Sequence, residues 1–364
     1  MKSRHLLIPI LWLIAGLAAS QETKEEPIDF DKARALIQKQ RGGEKLDEAE
    51  QRYLERAKTL RRKQQQQRPA NQRPAPERLI PLTDMGAKDR YEGETGGLYG
   101  DGTNEPPPAL AKLAAEEIAK IKPLDANGNV DDEDGRIVFI SISMSNATQE
   151  FSRFKQIADR SPQKSDRVTI VDCAQGGQAM AEWVATDARP WKVAMQRLAA
   201  AKVSPEQVQV AWVKLANKSP SGSLEEHGQK LESDTLKVLQ NAKKKFPNLR
   251  FAYLGSRIWA GNASGRLNPE PYAYESAFAV RGLIQRQTMD DAVKQVDGSP
   301  LLLWGPYLWA EGPRGRKFDD LVWERKDFAG DGVHPSNFGR QKVAEQLLIF
   351  FTTSPQSKPW FTSP

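Results

Sequence analysis

Residues 136–146 read RIVFISISMSN. The first seven form an apolar, β-branched run with little polar alternation, the pattern of a strand buried on both faces. A serine-rich turn then leads into helical spacing that lasts to about residue 160. The same succession recurs along the chain. RVTIVDCA (167–174), VQVAWVKLA (208–216), LRFAYLG (249–255) and PLLLWGPYLW (300–309) read as four more strands, separated by helical segments and closed by SNFGRQKVAEQLLIFF (336–351). Strands alternating with helices imply an α/β domain over 136–364: a three-layer α/β/α sandwich around a five-stranded parallel sheet. In such folds ligands bind beyond the carboxyl ends of the strands, so functional residues are expected just after the apolar runs.

Upstream of this domain the composition changes. Residues 1–20, MKSRHLLIPILWLIAGLAAS, place Lys2 and Arg4 before a short apolar stretch that ends in small residues. This is the form of a cleaved export signal, so the mature chain is expected to be secreted or periplasmic. No later stretch is long and apolar enough to span a membrane. Residues 21–78 read as an amphipathic segment, a helical hairpin broken at Gly42-Gly43. The basic, Gln- and Pro-rich linker RRKQQQQRPANQRPAPER (61–78) follows. Residues 79–135 are dense in Gly and Pro, and read either as a loop packed on the body or as more linker. DANGNVDDEDG (125–135) has the acidic look of a calcium loop, but Val130 stands where the turn needs Gly and Arg136 where it needs Glu. It is expected to be a polar turn.

Charge and cysteine content narrow the function further. The chain holds 53 Lys and Arg against 47 Asp and Glu. Residues 1–78 hold 17 and 11 of these, which leaves 36 of each in the remainder. The body is neutral, so no nucleic-acid partner is expected. The single Cys173 excludes an internal disulfide and a cysteine zinc site, and three histidines make a multi-histidine metal centre improbable. No cofactor is expected.

The chemistry-bearing residues fall at the predicted strand ends. Ser141, Ser143 and Ser145 close the first run, and Ser145 stands nearest the helix start, where free N–H groups favour a developing anion. Gly176-Gly177 follow the second run and allow a backbone N–H to approach a ligand. Asn217 follows the third and offers an amide. DGVHPSNFG (331–339) follows the fifth, with Asp331 three residues before His334, a spacing that lets the carboxylate fix the imidazole tautomer. His227, in SLEEHGQKL, reads as solvent-facing on a charged helix.

Taken in order, these blocks resemble the SGNH (GDSL-type) hydrolase superfamily over roughly residues 136–352. The MSN of the first block is similar to the carbohydrate and sialate O-acetylesterase branch. LNPEPYAYESAFAVRGLI (267–284) is similar to secreted members of planctomycete type. The resemblance implies a flavodoxin-like sheet, a Ser145–His334–Asp331 triad, and an oxyanion hole from Ser145, Gly177 and Asn217. The sequence departs from the family pattern at Ser143 and Leu215, where glycines are usual, and at Lys218. These departures keep Ser143 as a rival nucleophile and leave Asn217 the least secure assignment. The G-x-S-x-G elbow of the α/β-hydrolases is absent.

The resulting expectation is a secreted ester hydrolase acting on an acylated glycan or another small ester. Trp259, Tyr272, Tyr274, Tyr307 and Trp309 offer rings for sugars, Trp259 and Tyr274 foremost, and read equally well as packing. A non-catalytic glycan-binding protein on the same fold, or a lipase or thioesterase, stays open at this level.

Overall fold

The computed structural model describes residues 27–41, 44–66, 78–288, 296 and 298–363. Residues 1–20, expected to be an export signal, Gly42-Gly43 and most of the linker lie outside these residues. The chain divides into two units, residues 1–68 and 69–364.

The first unit contains α1 (Phe30–Arg41) and α2 (Glu48–Gln66). Their apolar stripes meet in a small cluster of Ala33, Leu36, Leu46, Tyr53, Leu54 and Ala57. Asp47 and Glu50 cap α2 reciprocally: the Asp47 carboxylate accepts from Glu50 N at 2.8 Å and Glu50 accepts from Asp47 N at 3.0 Å.

In the second unit the apolar runs become β1 (Ile137–Ile142), β2 (Val168–Val171), β3 (Val208–Lys214), β4 (Phe251–Gly255) and β5 (Leu301–Trp304). All pairings are parallel, in the order β2-β1-β3-β4-β5. This is the flavodoxin-like arrangement, whose switch point lies at the carboxyl ends of β1 and β3. Every residue of β1, β3, β4 and β5 is buried, because helices cover both faces of the sheet. The helices are α3 (Pro108–Ile118), α4 (Ser145–Ala158), α5 (Met180–Trp183), α6 (Arg189–Ala200), α7 (Leu224–Lys245), α8 (Tyr272–Gln285), α9 (Asn337–Thr353) and α10 (Lys358–Phe361).

Beneath α4, α9 and α10 lies an aromatic layer. Phe139 of β1 meets Phe151, Phe154, Phe351 and Trp360, and Trp212 of β3 stacks on Phe151 at 5.6 Å. This layer fixes the seat of α4, and with it the position of Ser145.

The segment 79–135 is packed on the body. Leu79, Leu82, Met85, Leu110, Ala114, Ile118 and Ile121 belong to the main core. Tyr91 OH donates to Glu275 of α8, and Trp304 Nε1 donates to the Leu98 carbonyl. Within 125–135, Asp125 accepts from the N–H groups of Asn127 and Asn129, and Asp131 from those of Glu133 and Asp134. These carboxylates are spent on their own turns, which deliver the chain into β1. Among the described residues, no helix is long and apolar enough to cross a membrane.

Candidate active site

β1 ends at a strained residue. Ser143 is fully buried with φ 141°, a region that glycine adopts freely and that costs an L-residue about 1–3 kcal/mol. This is one of the positions where the resemblance leads one to expect glycine. Ser143 keeps the conformation through its side chain, since Oγ donates to the Lys214 carbonyl at 2.5 Å and touches Met144 Sδ. Ser143 Oγ is therefore committed to the backbone of β3 and has no bond to His334.

Two residues on, Ser145 opens α4, and its Oγ lies 2.8 Å from His334 Nε2. His334 Nδ1 lies 2.5 Å from Asp331 Oδ2, while Asp331 Oδ1 accepts from the N–H groups of Val333 and His334, each at 3.0 Å. Partial burial works against the Asp331 charge. The bond to His334 and the two N–H groups outweigh it and hold the carboxyl below the ordinary aspartate range. An ionised Asp331 only accepts, so Nδ1 carries the ring proton and Nε2 is left to accept from Ser145. The Asp331 turn is itself held at two points. Asn146 Nδ2 donates to the Val333 carbonyl at 2.9 Å, and Gly332, at φ 68°, presses so close to Asn262 O that a Cβ there would sit 1.9 Å from it.

The other strand ends converge on the same place. Gln175 N donates to Ser143 O, Met180 N donates to Ala216 O, and Met144, Ala179 and Ala216 form one buried apolar cluster. Gly177 is exposed at φ 74° with open space around it. Its glycine character thus answers the backbone angle and not a steric demand. Among the described residues, the N–H groups of Ser145 and Gly177 have no protein acceptor. The Asn217 amide is oriented by Ala181 N, which donates to Oδ1 at 2.9 Å, and by Asp234, which accepts from Nδ2 at 2.7 Å. One Asn217 N–H remains for a ligand.

Behind these residues lies a buried charge group that the sequence did not announce. Lys214 Nζ, at the end of β3, meets both oxygens of Glu150 on α4, at 2.7 and 2.5 Å, and both side chains are wholly buried. Desolvation pushes Lys214 down to about 8 against the pull of Glu150. Arg257, just past β4, is also buried and pushed down to about 10, with Glu150, Glu270 and Asp331 opposing the shift. Asp172, at the end of β2, gathers the hydroxyls of Ser141, Thr148 and Ser152, each at 2.5 Å, and ties β1, β2 and α4 together.

Three expectations are corrected. Tyr274 is fully buried: its OH donates to the Ile80 carbonyl and its ring packs on Tyr91, Phe278 and Trp309, so it offers no face to a ligand. Trp309 and Tyr307 are likewise buried, whereas Trp259 packs on Phe328 and keeps part of its surface exposed, which leaves its expectation uncorrected. His227 is not solvent-facing. It is buried, with Nε2 2.5 Å from Glu275 and its ring edge-on to Tyr272, because α7 turns that side toward α8.

The chain matches no protein-family model and no curated protein. Among solved structures it is similar to a candidate acylhydrolase of Bacteroides fragilis, at 13% identity and TM-score 0.34, covering 67% of this chain and 96% of that one. A GDSL-like lipase of Bacteroides thetaiotaomicron is 11% identical at TM-score 0.31, covering 66% and 94%. The periplasmic domain of a lipopolysaccharide acetyltransferase from Salmonella Paratyphi A is 12% identical at TM-score 0.31, covering 66% and 95%. At these values the likenesses carry no argument about chemistry, which rests on the side chains above.

Proposed function

We propose that this chain is a serine ester hydrolase, exported behind its first 20 residues, that removes O-acetyl groups from a glycan. One observation carries the reading: an unbroken hydrogen-bonded line runs from an ionised Asp331 through His334 to Ser145, at a helix N-terminus. His334 Nε2 takes the Ser145 proton as Oγ attacks the ester carbonyl, and later returns it to the departing sugar hydroxyl. The open N–H groups of Ser145 and Gly177, with the remaining Asn217 N–H, are the donors for the oxyanion. Each is worth on the order of 3 kcal/mol in the transition state. Water, activated by the same imidazole, then releases the acyl group from Ser145. The Lys214–Glu150 pair and the Asp172 hydroxyl cluster act only by holding α4 against β1 and β3.

The test is fluorophosphonate labelling of the full chain beside Ser145→Ala, Ser143→Ala and His334→Ala. Labelling of the wild type and Ser143→Ala, with loss in the other two, is the expected result. Loss in Ser143→Ala alone would move the nucleophile by two residues. A folded wild type that does not label would replace the esterase reading with that of a binding protein.

A further inference from the structure

A groove of about 680 Å3 runs along the outer surface between α4 and the start of α9. Thr148, Gln149, Ser152, Arg153 and Gln156 line it from α4, and Asn337, Phe338, Arg340 and Gln341 from α9. Ser145 begins the first helix and His334 stands three residues before the second, so the groove starts one helical turn from the triad. At about 1.5 Å rise per residue it extends about 12 Å from Thr148 to Gln156, enough for more than one sugar ring.

Two features distinguish this surface. The first is charge, since its lining holds two arginines and no acidic residue. Elsewhere in the body Arg250, Arg281 and Arg316 meet carboxylates. Arg153 instead donates through Nε to Gln341 and through Nη1 to Gln156, and Arg340 donates through Nε to the Pro335 carbonyl. These bonds hold both guanidinium groups in place without neutralising them. Two neighbouring carboxylates are bonded elsewhere: Glu345 accepts from Gln341, and Asp172 accepts from the hydroxyls of Thr148 and Ser152. The second feature is Phe338, a phenyl ring 65% exposed at the start of α9, four residues past His334.

We propose that the groove is a subsite for an anionic sugar of the acylated glycan, its carboxylate or sulfate held between Arg153 and Arg340 and its ring laid on Phe338. The site favours acylated polymers that carry negative charge over neutral ones. This rests on the esterase reading for its substrate, but the groove binds the polymer whether or not Ser145 reacts.

The test is calorimetric binding to full-length Ser145→Ala, with three acyl-free probes: a tetragalacturonate, a sulfated galactan tetramer and a neutral xylotetraose. At least one anionic probe is expected to bind, and to weaken as salt rises, while the neutral one does not. Adding Arg153→Gln with Arg340→Gln, or Phe338→Ala alone, is expected to weaken that binding about tenfold or more. Preference for tetragalacturonate assigns the anion as a carboxylate, and preference for the galactan as a sulfate. Equal binding of the neutral probe, no binding of either anionic probe, or full affinity in the arginine variant overturns the proposal. Fluorophosphonate labelling separates the two readings: anionic binding without labelling removes the esterase and keeps the groove, whereas labelling without binding removes the groove alone.

Discussion

The two ends of the central sheet are built from similar residues put to opposite uses. At the amino ends of the strands, polar side chains close loops. Gln207 and Gln209 donate to the Leu124 and Lys122 carbonyls, Asn248 donates to Glu206 O, and Asp125 and Asp131 cap their own turns. At the carboxyl ends, charges are buried, Ser143 is strained and backbone N–H groups stay open. The first end uses polar chemistry to finish the fold. In the proposed reading the second withholds some of it for a ligand, and the cost falls on the packed helices behind.

The largest expected effect belongs to the carboxyl end. His334→Ala should lower kcat/KM on an acetyl ester by about ten-thousandfold, with the melting temperature close to wild type, because the ring is partly exposed. Loss of activity that follows loss of fold would contradict this separation. Lys214→Met comes next. It strands Glu150 in the core and should cost about 3–5 kcal/mol in denaturant unfolding, with most of the loss recovered when Glu150→Leu is added. At the amino end, Gln209→Ala should cost about 1–3 kcal/mol by orphaning the Lys122 backbone, with activity per folded molecule unchanged. If kcat moves, the division between the two ends is wrong.

Two smaller effects sharpen the comparison. Ser143→Gly relieves the φ 141° strain and loses the bond to Lys214 O, whereas Ser143→Ala keeps the strain and loses the same bond. The glycine variant should therefore melt higher than the alanine variant, by about 1 kcal/mol of stability. The ends should also differ in pH response. Hydrogen bonds from their own turns hold the Asp125 and Asp131 carboxyls below their usual range. Their contribution is present above the ordinary aspartate range and lost as pH falls through the depressed values. Glu270, beyond β4, is pushed up to about 7 by desolvation. In the unfolded chain it ionises near its ordinary value while the folded form still holds the proton, so it subtracts stability as pH rises toward 7. Asp125→Asn should flatten the acid limb of a stability–pH curve and leave the neutral limb as it was.

Much of this was legible in the sequence. The strands announced themselves because a sheet covered on both faces needs near-continuous apolar runs, and RVTIVDCA or VQVAWVKLA has few other readings. Ser145 stood out because it lies where a strand gives way to a helix, and Asp331 and His334 because of their three-residue spacing just ahead of the last helix, both local signals. The Lys214–Glu150 pair was hidden, since its partners lie 64 residues apart, one reading as a polar strand end and the other as an ordinary glutamate within a helix. Tyr274 and His227 misled for a related reason. Each sits on a helix with polar neighbours, and only the packing of α7, α8 and the 79–135 segment decides which face is covered.

The close approach of Gly332 to Asn262 bears on how the site comes into being. Ser145 and His334 are 189 residues apart, and the histidine turn rests on a loop that exists only once β4 is docked. Contacts so distant in sequence form late, after the loops between them have closed. The reactive serine of the proposed esterase would then be a property of the finished chain alone, and the return of labelling during refolding would time the last docking event rather than the first collapse.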